Sequence, residues 1–181
     1  RISRIEKSTL SKMLSFAGWS FMGNFGVVAK DYGVNIIINT FCSTAVNASR
    51  GIAYQVSNAV NGFVSSFQTA MNPQITKRYA TGDFHSMLTL VFSGAKYSFF
   101  LLSLFIIPLY IRADQVLTLW LGDAPNYSIQ FLRLVLIMVL INSMSGPFVT
   151  SIQATGDIKL FQIVISIIMT LDMPLSYVVL K

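Results

Sequence analysis

Long apolar runs, broken at intervals by charged or turn-forming residues, dominate the chain. Because about 20 apolar residues cross a bilayer as a helix, the runs predict five spans, at residues 13–39, 45–74, 87–111, 130–153 and 160–180. Segments rich in Gly, Asp, Asn and Pro separate the later spans, at residues 77–83, 122–126 and 154–157. The pattern therefore predicts an all-α fold, a polytopic membrane helix bundle.

The second predicted span is the least apolar, and its polar or small residues recur at steps of three or four. They are Asn47, Gly51, Tyr54, Asn58, Asn61, Ser65, Gln68 and Asn72. This spacing places them on one face of a helix. In a membrane bundle, such a face predicts a helix that lines a water-filled cavity. The alternative is that the amides form hydrogen bonds across a tight helix interface, with no cavity.

Composition supports the membrane setting. Hydrophobic residues make up 54% of the chain and charged residues 11%, whereas soluble domains carry about 25% charged residues. The net charge is +6, but the basic residues form no dense patch with aromatic residues, so nucleic acid is not an expected partner. They gather in residues 1–12, 77–85 and 155–159, which alternation of the spans puts on one side. The positive-inside rule predicts that this side is cytoplasmic.

Signals for catalysis are weak. Cys42 is the only cysteine and His85 the only histidine, so neither an internal disulfide nor a multi-cysteine metal site is expected. Nothing supports a Ser-His-Asp triad, and neither a phosphate-binding loop nor a dinucleotide fingerprint is present. The sequence therefore predicts neither an enzyme nor a cofactor. The chain starts at Arg1 without methionine and stops directly after an apolar run, from which we expect an internal segment of a longer protein.

Charged residues at membrane depth usually face a bundle interior or a water-filled path. Lys30, Lys96 and Arg50, the last at the outer end of the polar stripe, are candidate cavity cations. Asp31 and Asp172 are candidate ion-coupling carboxylates. For Lys30, Asp31 and Lys96 the alternative is snorkelling to the head groups. For Asp172 the alternative is a structural contact between two helices.

Five short motifs occur in a characteristic order. They are residues 48–56 (ASRGIAYQV), 72–83 (NPQITKRYATGD), 119–122 (LWLG), 145–147 (SGP) and 153–156 (QATG). Together they resemble the O-antigen and capsular polysaccharide flippases of bacteria, in the multidrug/oligosaccharidyl-lipid/polysaccharide (MOP) exporter superfamily. The resemblance extends over nearly the whole chain, from Leu14 to Leu180.

The resemblance implies two six-helix lobes around a cavity that opens alternately to each side of the bacterial inner membrane. This chain would supply the first five helices of the second lobe, with residues 1–12 as a cytoplasmic connector and residues 13–181 as the partial lobe. The implied substrate is an undecaprenyl-pyrophosphate-linked oligosaccharide, moved from the inner to the outer leaflet. Its expected partners are this lipid-linked oligosaccharide, membrane lipids and the N-terminal lobe of the same protein.

Such a substrate suggests ligands among the candidate residues. A pyrophosphate group needs cations, for which the sequence offers Lys30, Arg50 and Lys96. A sugar chain needs hydrogen-bonding amides, and those on the polar stripe are Asn58, Asn61 and Gln68. These assignments are hypotheses from the stripe and the depth of the charges, because the motifs do not fix substrate ligands.

Two other functions stay open. A multidrug and toxin extrusion antiporter would hold a carboxylate in its cavity and export cationic drugs. The several cations within the spans disfavour it, because like charge repels a cationic substrate, but Asp31 and Asp172 keep it open. A non-transporting membrane assembly subunit, with its asparagine face on a partner helix, is the second. A membrane-embedded glycosyltransferase or ligase is a third possibility, but this sequence has no paired catalytic carboxylates in a loop to support it.

Overall fold

The computed structural model describes residues 7–180, apart from the side chains of Ser8, Thr9, Lys12 and Leu180. This part of the chain is helical, with no strand. The helices are α1 (Lys7–Phe41), α2 (Thr44–Ala80), α3 (Phe84–Ile111), α4 (Ala113–Leu121), α5 (Ser128–Asn142), α6 (Ser145–Ala154) and α7 (Lys159–Leu180). The predicted fold class, an all-α membrane helix bundle, is confirmed. Residues 1–6 of the predicted connector lie outside the described residues.

The helices form two compact units, one with α1 and α7 and the other with α2 to α6. In the first unit α1 and α7 run parallel, because their contacts advance together along both helices. Gly23 lies against Gln162, and Gly26 against Ser166. A Cβ atom built on Gly26 would lie 3.7 Å from the Ser166 Cα atom. Small residues let helix backbones approach closely, and Gly23 and Gly26 lie at this contact.

In the second unit, α2 packs against α3, α5 and α6. Its buried face contributes Ala53, Val60 and Val64 to the main core. The other helices add Leu102, Ile106, Ala113, Leu117, Leu132, Val135, Leu136 and Val139. A smaller cluster of Ile75, Met87 and Val91 joins α2 to α3 farther along. The buried apolar residues of α2 thus recur at helical spacing and form one face of the helix, beside the polar stripe.

The turn between α2 and α3 carries a helix cap. Asp83 accepts a hydrogen bond from the Ser86 backbone N–H at 3.1 Å and so caps α3. Hydrogen bonds from the Ser86 side chain and backbone, and then the positive charge of Arg78, lower the pKa of Asp83 from its ordinary value of 3.8. Gly82 has a φ of 76°, a conformation that glycine adopts without steric cost. This turn is therefore well specified by its own residues.

Two helices, α3 and α7, are each long and apolar enough to cross a membrane. The pair α5 and α6 meets the same criterion as one broken span, bent by 41°. Neither α1 nor α2 meets it, although they hold 35 and 37 residues and so reach about 52 Å and 55 Å in length. Residues 13–39 and 45–74 are helical as expected, while a count of five spans stays a prediction.

The sequence analysis missed two features of the helices, a short helix and a break within a predicted span. The expected loop before the fourth span contains α4, a helix of nine residues. The expected fourth span is interrupted at Ser143 and Met144, between α5 and α6. Both features depend on short local sequences that a search for long apolar runs passes over.

Candidate functional site

The polar stripe of α2 divides into an exposed and a partly buried group. Gly51, Tyr54, Asn58 and Ser65 are exposed, whereas Asn47, Asn61, Gln68 and Asn72 are partly buried. The division arises because α3, α5 and α6 cover one edge of the stripe and leave the other uncovered within this unit. The two groups therefore have different roles.

A partly buried cation, Arg50, lies at one end of the exposed group. The Arg50 guanidinium carbon lies 4.8 Å from the centroid of the Tyr54 ring, a cation–π contact. Asn58 follows one turn later, Asn61 is half-buried and donates to Ser57 Oγ at 3.5 Å, and Ser65 is exposed. From Arg50 to Ser65 the helix rises about 22 Å. This surface, defined as Arg50, Tyr54, Asn58, Asn61 and Ser65, is here called the α2 polar face.

Two residues of the partly buried group, Gln68 and Asn72, hold helices of this unit together. Gln68 donates from Nε2 to the Ser143 carbonyl at 2.8 Å and to Ser98 Oγ at 3.1 Å. Asn72 Oδ1 accepts from Thr150 Oγ1 at 3.0 Å. At Gln68 and Asn72 the structure thus has the amide contacts across a helix interface that the sequence left as an alternative.

The partners of these amides were not identified from the sequence. Ser98, Ser143 and Thr150 are single small polar residues within apolar runs, a weak signal that fits many roles. Gly146 also lies against the Gln68 side chain, where a Cβ atom would clash. The break after α5 gives Gln68 an unpaired carbonyl to bind, since the last carbonyls of a helix lack intrahelical partners.

The other candidate cations occupy separate positions. Lys96, in the middle of α3, is exposed, and its Nζ atom lies 6.0 Å from the centroid of the Phe100 ring. Lys30, in the unit of α1 and α7, forms an ion pair with Asp172, with 3.3 Å between Nζ and Oδ2. The two side chains are 28% and 47% exposed. Asp31 is exposed and takes no part in that pair.

Charge is distributed unevenly in the unit of α2 to α6. Its long helices α2, α3 and α5 and the short α6 contain no Asp or Glu. The acidic residues of this unit lie in the turns and in α4: Asp83, Asp114 and Asp123. The helices contain five cations, Arg50, Lys77, Arg78, Lys96 and Arg133, of which Lys77 and Arg78 lie in the last turn of α2. Helices α2, α3 and α5 therefore carry positive charge only. Within residues 7–180, no three His, Cys, Asp or Glu side chains group as a metal site would require.

Comparison with protein families gives the broader class. The MatE family model matches residues 20–178, across both units. The chain belongs to the MatE family. MatE proteins are transporters of the MOP superfamily and not enzymes, so membership places this MatE chain among membrane transporters. The search of curated proteins and the search of solved structures each found no match.

Proposed function

We propose that this MatE chain forms most of the second lobe of a polysaccharide flippase. It moves an undecaprenyl-pyrophosphate-linked oligosaccharide from the inner to the outer leaflet of the bacterial inner membrane by alternating access. The observation that supports the proposal most strongly is the α2 polar face, which combines a stacked guanidinium with amides and hydroxyls and holds no carboxylate.

The chemistry of the substrate fits this surface in two parts. Arg50 offers a planar set of N–H donors suited to phosphate oxygens. Asn58 and Asn61 supply amides that donate to and accept from sugar hydroxyls. The lipid tail stays in the bilayer and needs no polar contact. In this proposal Gln68 supports α2 rather than binding sugar, because its amide is engaged with Ser98 and Ser143.

Lys30 and Lys96 serve as secondary cations in the proposal. Lys96 is exposed, and its Nζ atom lies 6.0 Å from the centroid of the Phe100 ring. Lys30 is held by Asp172, so it binds phosphate only when that pair opens. Asp172 and Asp31 remain the carboxylates proposed for coupling to an ion gradient. An anion that competes with Asp172 for Lys30 would link substrate binding to the contact between α1 and α7.

The test replaces Arg50 and a matched arginine. Arg133 on α5 also stacks over an aromatic ring, with 5.6 Å from its guanidinium carbon to the Tyr110 centroid, but it lies outside the α2 polar face. Arg50→Ala in the full-length protein should lower polysaccharide export severalfold at unchanged membrane levels, whereas Arg133→Ala should not. Equal export by the two variants would remove Arg50 from the substrate site.

Export of cationic drugs is the second candidate, since the family match supports both transport classes. The favouring observation is Asp31, an exposed carboxylate on α1 outside the ion pair of Lys30. For an antiporter, Asp31→Asn should abolish drug resistance in a sensitive host. For a flippase, it should leave drug sensitivity unchanged.

A full-length protein that binds no lipid-linked sugar and copurifies with one fixed partner would instead favour an assembly subunit.

A further inference from the structure

The LWLG motif, residues 119–122, has no part in the proposed transport site, yet it exposes two large apolar side chains. It ends α4, where Leu119 is 91% exposed and Trp120 is 50% exposed. Gly122 follows with a φ of 70° and ends the helix. An exposed leucine beside an exposed tryptophan costs free energy in water, because each leaves apolar area unburied.

The residues of α4 fall into three sectors around the helix axis. At 100° per residue, the buried Ala113 and Leu117 lie within about 40° of each other. Asp114, Thr118 and Gln115 follow at about 100° to 200° from Ala113. Leu119, the partly buried Val116 and Trp120 lie at about 240° to 340°, with Trp120 at the edge next to the core side. Leu121 lies at about 80°, between the core side and the polar side. The helix thus has a core side, a polar side and an exposed apolar side.

The location of α4 suggests what covers the apolar side. Only Arg112 separates it from the end of α3, a helix long and apolar enough to cross a membrane. A helix that follows a span so closely starts at the membrane surface. There, a polar sector and an apolar sector on opposite sides are typical of a helix that lies in the interface.

Neighbouring aromatic residues support the same depth. Tyr110 lies in the last turn of α3 and Tyr127 directly precedes α5; both are exposed. Like Trp120, both belong to the stretch from the end of α3 to the start of α5, and Arg133 stacks over Tyr110. Tryptophan and tyrosine concentrate at membrane–water interfaces, where the ring is apolar and the N–H or O–H group reaches water.

We propose that α4 is an interfacial anchor, with Leu119 and Trp120 inserted at the boundary between lipid head groups and acyl chains. The polar sector of Asp114, Gln115 and Thr118 faces water. By the alternation of the spans this is the outer leaflet. The anchor holds the connected ends of α3 and α5 at one depth while other helices move. The partner is lipid, and the inference does not depend on the substrate.

Site-directed spin labelling tests the anchor in the full-length protein reconstituted in phosphatidylethanolamine and phosphatidylglycerol vesicles. Cys42→Ser removes the cysteine of this chain, and labels are attached through Leu119→Cys or, as the matched control, Thr118→Cys. The control residue is the preceding one on the same helix and is also exposed. Collision rates with oxygen, which enriches in lipid, and with a water-soluble nickel chelate report the surroundings of each label.

We expect the label at position 119 to favour oxygen over the nickel chelate severalfold more than the label at position 118. Equal preference for nickel at both positions would show that α4 stands in water and would overturn the proposal. Shielding of position 119 from both reagents would show that protein covers it, and would overturn the proposal as well. Because neither result depends on export, failure of the anchor is distinguishable from failure of the flippase assignment.

Discussion

Replacement of Gln68 by leucine should measure how strongly the buried amides hold this fold together. Gln68→Leu removes both hydrogen bonds that reach Ser98 and Ser143. Side-chain hydrogen bonds in membrane proteins contribute about 0.6 kcal/mol on average and at most about 1.7 kcal/mol. Loss of the two bonds should therefore cost about 1.2 kcal/mol, which is a shift of about eightfold in the unfolding equilibrium.

The assay is unfolding of the full-length protein by sodium dodecyl sulfate in mixed micelles. Gln55→Leu is the matched control. Gln55 lies on the same helix and is exposed, and its replacement is the same chemical change as Gln68→Leu. Its effect should stay within about 0.5 kcal/mol. A double-mutant cycle with Ser98→Ala should recover a coupling of about 0.6 kcal/mol. If Gln68→Leu costs no more than Gln55→Leu, the amide does not tie α2 to its neighbours and our reasoning is refuted.

Three further predictions concern the turn and the α1–α7 pair. Asp83→Ala should speed amide hydrogen exchange in the first turn of α3. Because the pKa of Asp83 is lowered on folding, the protection that the wild type has over the variant is present above pH 3.8 and is lost as pH falls through the folded pKa. Unchanged exchange at neutral pH would contradict the cap. Lys30→Met and Asp172→Asn should each destabilise more than the double variant, because each single change leaves one unpaired charge at membrane depth. Simple additivity of the two losses would show that the ion pair is not formed. Gly26→Leu should lower the thermal midpoint of unfolding by several degrees. Gly18→Leu should not lower it, because nothing lies within 4 Å of a Cβ atom added to Gly18. Equal midpoints would count against close packing of α1 on α7.

Helix positions were predictable because several kinds of local signal agreed. Gly82, Gly122 and Gly156 mark turns, and each has a positive φ in the structure. The long apolar runs between these turns predicted helices. For α2, where apolarity is weak, the spacing of the polar residues predicted the helix.

The division of the polar stripe was not predictable from periodicity. Asn58 and Gln68 occupy one stripe by spacing, but Asn58 is exposed while Gln68 binds Ser98 and Ser143. Periodicity gives the direction of a side chain about its own helix axis and says nothing of which helix lies there. For the same reason the contact of Lys30 with Asp172, far apart in sequence, could not be derived from either residue's surroundings.

The short elements were missed because they depend on a few residues. In α4, nine residues divide into three sectors, and so short a helix gives little periodic signal. The break between α5 and α6 follows from Ser143 to Pro147, where serine and glycine weaken the helix and a proline fits the first turn of the next. Within an apolar run these residues look like ordinary span residues.

The central claim is that this MatE chain belongs to a transporter of lipid-linked oligosaccharide. The most direct measurement is complementation by the full-length protein of a bacterium whose own O-antigen flippase has been deleted, scored as surface polysaccharide. Our account predicts that surface polymer returns with the wild type and is reduced severalfold with Arg50→Ala at equal membrane levels. Absence of surface polymer from well-expressed wild type, together with new resistance to cationic drugs, would contradict the account and assign the chain to a drug antiporter.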